Sequence, residues 1–511
     1  MKLLNNGKRL LALLLVLVLA AALVPGKVQA ADIEEGKCSI QVNGLEGTVE
    51  MTVSAYMIIQ AQFDYTVQQP TDPMYKWDPQ VADWLKAIAA YQGYIDESGM
   101  VTQDFIGLSA ADAAAFYDML AAAIRANPAS FSGPKGQQKT TGTSCVLSDL
   151  PMGNYLVLVE GGAMIYRPSA VNRTPKWDQA AMAWRVSNEE IVLKSSSVSI
   201  DKKVDDVKLK NVGIGDTVPY KVTAQVPVYP DKAVDTTYII SDTLPDAVTL
   251  KKTGDKADIT VCSDEAGNTV LKEGADEAYT LTTETNGFIL TFNYENIKNF
   301  SNIYVSYSGI INENAKPNTK FTNTVDLKYN NNPYISGGYK EDTDKAEVYT
   351  YGIRLTKTGE SDALLPGAVF NLSADSKNST PLKFLKDADG YYVSADPAAK
   401  ADIETDADGF LQIRGLKEGT WYLTEVKAPA GYIKPSTAVK VVLQKKSDEN
   451  PLLLENGDSD GYYPVTVKNR KGFSLPTTGG VGTILFSAGG IVMVGLGVAV
   501  ICLLLKKKRT A

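Results

Sequence analysis

The stretch Phe321-Thr-Asn-Thr-Val-Asp-Leu-Lys-Tyr329 alternates with period two: Phe321, Asn323, Val325, Leu327 and Tyr329 share one face, and Thr322, Thr324, Asp326 and Lys328 the other. Strand side chains alternate in this way. The stretch therefore predicts a strand whose apolar face carries one carboxamide, Asn323. Around it, strand-like segments recur at Val218 to Val228, Thr236 to Ile240, Thr280 to Asn293 and Ile303 to Ile310, punctuated by Gly, Asn, Asp and Pro. This spacing without helix signals predicts an all-β sandwich. By the same alternation Val198, Ile200, Lys202 and Val204 face one way, and so do Tyr238, Ile240, Asp242 and Leu244. A lysine, an aspartate and an asparagine thus aim at one core, where unpaired burial costs several kcal/mol. Lys202 is preferred to its neighbour Lys203 on alternation alone.

Further along, the arrangement repeats. Ile353, Leu355 and Lys357 share a face of one strand, Trp421, Leu423 and Glu425 a face of a later one, and Val465, Val467 and Asn469 a face of the last. The order of lysine, acid and asparagine is the same in both stretches. Upstream, the pattern is mixed. Gly47 to Tyr56 alternates like a strand, while Asp78 to Tyr91 and Ser109 to Asn127 read as helices. The second helix opens with Ser109 and Asp112 at capping-box spacing and carries Phe116, Leu120 and Ile124 on one stripe. A β-sandwich with helical insertions is expected there. The polar stretches Ser195-Ser196-Ser197 and Gly337 to Lys345 read as joints.

Both ends of the chain differ from this globular middle. Lys2, Lys8 and Arg9 precede an apolar segment from Leu10 to Val24, and Val28-Gln29-Ala30 has the small-x-small form of a signal-peptidase site. At the other end Leu475-Pro476-Thr477-Thr478-Gly479 is followed by an uncharged run from Val481 to Leu505 and then Lys506-Lys507-Lys508-Arg509. About 20 apolar residues suffice for a helix to cross a bilayer, and the basic cluster would stay inside, leaving the rest of the chain outside. Pro476 keeps the pentapeptide extended and without one amide hydrogen. The 511 residues carry a net charge of −8 and no histidine. That removes Ser-His-Asp and Cys-His catalysis and the commonest zinc ligand, and no basic patch suggests nucleic acid. Of the four cysteines, Cys502 lies in the apolar run, Cys262 stands alone, and Cys38 and Cys145 share the N-terminal stretch of an exported chain as candidates for a disulfide.

The two trios have a chemical reading. An apolar site lowers a lysine pKa and raises a carboxyl pKa. A neutral amine is a nucleophile, and a protonated acid polarises a carboxamide. Held in contact, the groups condense to a Lys–Asn isopeptide bond with loss of ammonia. Lys202 and Asn323 with Asp242, and Lys357 and Asn469 with Glu425, are the expected sets, the acids promoting only their own domain's bond.

These motifs resemble Gram-positive sortase-assembled pilins. Asp201-Lys-Lys-Val204, Ser241-Asp-Thr-Leu-Pro245 and Thr322-Asn-Thr-Val325 are similar to the isopeptide-forming fimbrial domain. Leu365-Pro-Gly-Ala-Val-Phe370, Gly415-Leu-Lys-Glu-Gly419 and Tyr422 to Tyr432 are similar to collagen-adhesin B type repeats, and the tail resembles a cell-wall sorting signal. The resemblance implies a mainly β chain of tandem Ig-like (collagen-adhesin A/B type) sandwiches. Its parts would be a signal peptide (1–30), an N-terminal pilin domain with helices (31–194), an isopeptide-forming domain (198–350), a collagen-adhesin B type domain (351–472) and the sorting signal with its membrane helix (473–511). It further implies cleavage by a sortase between Thr478 and Gly479 and joining of Thr478 to a lysine of another subunit. Lys194 is the candidate by position, although the family's Tyr-Pro before it is missing. In the first domain Val159 stands where the acid of Gly419-Thr-Trp-Tyr-Leu-Thr-Glu425 would be, so no isopeptide bond is expected there. The expected partners are sortase, other pilin subunits, peptidoglycan and a host surface ligand, with no metal, cofactor or enzymatic turnover. The alternative reading is a wall-anchored adhesin or minor pilin that binds its host ligand through the N-terminal domain.

Overall fold

The computed structural model describes residues 31–33, 38–180, 182–186, 189–230, 232–472 and 481–507. The expected signal peptide and the LPTTG pentapeptide lie outside them. The chain divides into two compact units, one built from residues up to 210, 216–314 and 320–348, the other from 211–215, 315–319 and the remainder.

The first unit begins with a five-stranded sheet centred on the long strand Met51–Asp64, which pairs with Gln69–Trp77, Gly136–Thr140 and Gly153–Gly161. One face of this sheet packs with Cys38–Asn43 and Ser144–Leu150 around Ile40, Val53, Leu147 and Tyr155. The other face is covered by helices around Ile58, Trp77, Phe116 and Leu156. Helix Ala110–Ala126 starts where Ser109 accepts the Asp112 amide at 3.1 Å, and it buries Phe116, Leu120 and Ile124. The earlier helical stretch is broken: Pro79–Ala87 ends at an extended Ile88, and Ala89–Tyr94 continues as a 3₁₀ helix.

The sandwich that follows sets two sheets face to face. One runs Ile200–Val204, Thr217–Gln225, Asn302–Ile311 and Val248–Leu250. The other runs Tyr339–Tyr349, Phe321–Asn330, Tyr238–Thr243, Gly287–Phe292 and Tyr279–Glu284. The stretch Gly337 to Lys345, read above as a joint, is mostly strand: after Phe321–Asn330 the chain returns as Tyr339–Tyr349, paired antiparallel with it. Its polarity has a structural cause. Asp342 Oδ2 accepts the Ile200 amide at 3.1 Å and Asp344 Oδ2 accepts the Lys202 amide, so carboxylates close the open edge of the opposite sheet.

Between those two strands, the loop after Asn330 reaches the first sheet's helical layer. Tyr334, 2% exposed, belongs to the same apolar cluster as Trp77 and Phe116. Its hydroxyl donates to Asp118 at 2.8 Å, Arg125 lies over its ring, and Asn331 Nδ2 donates to the Gly162 carbonyl at 2.9 Å. The helical layer is therefore completed by a residue more than two hundred positions away in sequence.

The second unit is again two sheets. Tyr351–Thr358 lies between Phe410–Leu416 and, in parallel, Tyr462–Lys468, while Gly419–Lys427 pairs with Val369–Ser373 and Val439–Leu443 in the other sheet. The unit ends in helix Val481–Lys507, in which Ile484–Lys506 has a mean hydropathy of 2.6, long and apolar enough to cross a membrane.

Tyr334→Ala removes a filled aromatic site and two polar contacts, and should cost the first unit about 3–5 kcal/mol. Thermal unfolding of the exported chain followed by the helical circular dichroism signal tests this; an unshifted midpoint would contradict the role given to the loop.

Candidate functional site

In the first unit, three strands bring Lys202, Asp242 and Asn323 together. Ile200–Val204 supplies the lysine from one sheet, and the neighbouring strands Tyr238–Thr243 and Phe321–Asn330 supply the acid and the carboxamide from the other. All three are buried, Lys202 and Asn323 completely. Lys203, by contrast, is exposed. Lys202 Nζ donates to Asp242 Oδ2 in a very short contact.

A fourth side chain, which period-two reasoning takes for ordinary core, sits among them. Tyr307 Oη donates to the Asp242 carboxylate, lying 2.8 Å from Oδ1 and 2.9 Å from Oδ2. It accepts from Lys202 Nζ and from Asn323 Nδ2, each at 2.8 Å. Its signal in the sequence is only a hydroxyl on the buried face of Asn302–Ile311. Rings of Tyr220 and Tyr307, stacked at 5.3 Å, stand beside the lysine amine.

Burial dominates the electrostatics here. It pushes Lys202 down to about 8 against the opposing pull of Asp242. It pushes the Asp242 carboxyl up, although Lys202 and Tyr307 oppose the shift. The phenol of Tyr307 is held well above its ordinary range by burial and then by the adjacent carboxylate. Each shift favours the neutral form of its group.

The second unit builds a related site with another topology. Lys357 and Asn469 come from the parallel neighbours Tyr351–Thr358 and Tyr462–Lys468, Asn469 directly following the latter, while Glu425 faces them from the other sheet. Exposures are 0%, 1% and 4% respectively. Lys357 Nζ lies 3.8 Å from Glu425 Oε2, an ion-pair distance, and donates to the carbonyls of Val467 at 3.0 Å and Thr358 at 3.3 Å. Asn469 Nδ2 donates to Glu425 Oε1 at 2.6 Å. Burial again lowers the lysine and raises the acid. Among the described residues Asn323 Oδ1, Asn469 Oδ1 and Glu425 Oε2 have no hydrogen-bond partner.

The remaining expectations fall in several places. Lys194 is exposed, and its carbonyl accepts the Arg167 amide at 2.9 Å, just before Ser195–Ser196 pairs with Ile165–Tyr166. Leu475, Pro476, Thr477, Thr478 and Gly479 lie outside the described residues. Val159 is buried among apolar neighbours. The expected Cys38–Cys145 disulfide needs correction: both thiols are free and buried. On the paired strands Cys38 stands opposite Leu150 and Cys145 opposite Val42. Four strand positions separate them, roughly 13 Å along the strand and well beyond disulfide reach. Among the described residues no group of three or more acidic or cysteine side chains is placed to hold a metal ion.

Comparison with known proteins adds sequence relationships to this geometry. Residues 352–457 match the SpaA prealbumin-like fold domain, and 468–511 match the LPXTG cell wall anchor motif. The trypsin-resistant surface T6 protein of Streptococcus pyogenes serotype M6 is 27% identical over 253 residues, covering 47% of this chain and 45% of that protein. The match thus spans about half the length of this curated relative. Among solved structures, the T6 backbone pilin of serotype M6 S. pyogenes superposes with a TM-score of 0.59 at 17% identity, over 87% of this chain and all of that one. This likeness concerns the fold. The pilus 2b backbone protein of group B streptococcus is 31% identical over 54% of this chain and 99% of that chain, with a TM-score of 0.41.

The free thiols have a direct readout. Denatured without reductant, the chain from Ala31 to Thr478 should react with three equivalents of a thiol reagent, at Cys38, Cys145 and Cys262. One equivalent would restore the disulfide.

Proposed function

This chain belongs to the Gram-positive backbone pilins, exported proteins of the cell wall that carry an LPXTG anchor, and from that premise we propose that it is the shaft subunit of a covalent pilus. A sortase cleaves between Thr478 and Gly479, holds Thr478 as a thioester and passes it to the exposed amine of Lys194 on another subunit. The last subunit of the polymer goes to peptidoglycan. Before cleavage, Ile484–Lys506 spans the membrane. In the alternative adhesin reading, the N-terminal domain with its helical layer is the part that binds a host surface ligand.

The observation that carries the reading is the recurrence of a buried amine, carboxyl and carboxamide in two sandwiches. We read each as the source of an isopeptide bond, Lys202 to Asn323 and Lys357 to Asn469. The neutral amine attacks the carboxamide carbon, and the protonated acid steadies the oxyanion that forms. The carbon–nitrogen bond of the amide then breaks and ammonia leaves. A half-turn of the Asn469 carboxamide exchanges Nδ2 with Oδ1, placing the oxygen where a protonated Glu425 donates. Each bond closes a loop of more than a hundred residues, a constraint worth about 5 kcal/mol in the chain-entropy account.

Intact mass of the exported chain should fall short of its sequence by two ammonia molecules, and Asp242→Ala and Glu425→Ala should each restore one. A mass equal to the plain sequence would reject both bonds. Lys194→Ala should abolish the ladder of covalent polymers on the producing cell while leaving secreted monomer. A ladder that persists would move the acceptor elsewhere, and the absence of any ladder from the unaltered chain would favour the adhesin reading.

A further inference from the structure

The two sites differ in how their acid reaches the carboxamide. Glu425 touches the Asn469 nitrogen directly at 2.6 Å. Asp242, one methylene shorter, makes no hydrogen bond with Asn323 among the described residues. The gap between them is filled by Tyr307, whose Oη touches Asp242, Lys202 Nζ and Asn323 Nδ2, all within 2.8–2.9 Å. An aspartate plus a phenol spans the distance that a glutamate spans alone.

We propose that Tyr307 is a fourth catalytic residue of the first unit's site, relaying to the departing Asn323 nitrogen the proton that Lys202 gives up. This rests on the isopeptide reading above. As the Nζ lone pair forms a bond to Cγ of Asn323, Nζ becomes acidic and releases one proton. Collapse of the tetrahedral adduct breaks the Cγ–Nδ2 bond, and Nδ2 leaves with that electron pair. To depart as ammonia it needs one proton. Tyr307 Oη lies 2.8 Å from both nitrogens, so it gives its hydrogen to Nδ2 and takes one from Nζ, directly or through Asp242. One amide is exchanged for another, ammonia is released, and tyrosine and aspartate end as they began.

The phenol is fixed for this task. Tyr307 lies on the middle strand of its sheet, paired with Tyr220 on one side and Ile259 on the other. Its ring is stacked on Tyr220 at an interplanar angle of 13° and meets the edge of Phe288 at 5.0 Å. It is 4% exposed, so bulk water does not supply the missing proton. In the second unit the lysine amine is instead held by backbone carbonyls, and Glu425 reaches the Asn469 carboxamide with no hydroxyl between them.

The test is Tyr307→Phe in the full exported chain, which keeps the ring and its packing and removes only the hydroxyl. Cross-linked peptides are quantified by mass spectrometry at intervals after a pulse of synthesis. Lys202–Asn323 linkage should slow by about 100-fold or more, the usual worth of a positioned acid–base group. Lys357–Asn469 linkage in the same molecules should keep its unaltered rate. Equal rates for Lys202–Asn323 linkage with and without the hydroxyl would overturn the relay while leaving the isopeptide reading intact. A chain of unaltered sequence without any Lys202–Asn323 peptide would overturn both. Should the phenylalanine chain not fold, 3-fluorotyrosine placed at 307 decides: it keeps the hydroxyl but makes it more acidic, so the linkage rate must change, and an unchanged rate rejects the relay.

Discussion

An ammonium stripped of water must be answered by a charge inside the fold or give up its proton, and this constraint shapes both sandwiches. Lys202 and Lys357 are completely buried. Their Coulomb partners, Asp242 and Glu425, are as dry as they are, so each carboxylate suffers the desolvation it would relieve in the lysine. Neutralising both groups relieves both penalties, which is the direction in which burial drives them. In the isopeptide reading, an amine and an acid pushed toward their neutral forms beside a carboxamide are a reactive set. In that reading, the same burial that makes these residues poor ion pairs makes them reagents.

Much of this was legible because strands have a period of two. Alternation alone put Lys202 rather than Lys203 indoors, and it placed Asp242, Asn323, Lys357, Glu425 and Asn469 on faces the structure buries. Tyr307 was not legible, because a tyrosine on an apolar face reads as core and only three-dimensional proximity shows what its hydroxyl touches. Tyr339–Tyr349 escaped as a strand because charged and polar side chains dominate it, and its carboxylates serve the backbone of another sheet. The cysteines failed for a related reason: sharing a domain says nothing of register, and register sets Cys38 opposite Leu150. Tyr334 in a polar Asn- and Gly-rich loop carries no local sign that it completes a distant helical layer.

The two trios are not copies of one geometry. In the first unit, lysine and carboxamide come from opposite sheets, so a bond between them pins one layer of the sandwich to the other. In the second they come from adjacent parallel strands of a single sheet, with the acid reaching over from the facing layer. What recurs is the chemistry of a dry amine, acid and amide, and the strand pairings around it are free to vary.

That difference decides where tension would run in the proposed filament. Pull on the Lys194 side chain and on Thr478, with both bonds formed. The load passes along the backbone to Lys202, crosses to Asn323, continues to Lys357, crosses to Asn469 and leaves toward Thr478. Residues between Lys202 and Asn323, and between Lys357 and Asn469, are bypassed, as is everything before Lys194. The stretch from Asn323 to Lys357 is not. It contains the hairpin in which Asn323 stands opposite Ala346 and the loop that seats Tyr334. Force applied at Asn323 and beyond Tyr349 acts at the open end of that hairpin and opens its pairs in sequence rather than shearing them together. In this reading the cross-links harden most of each subunit and leave one antiparallel pair, with its aromatic plug, as the element that yields first.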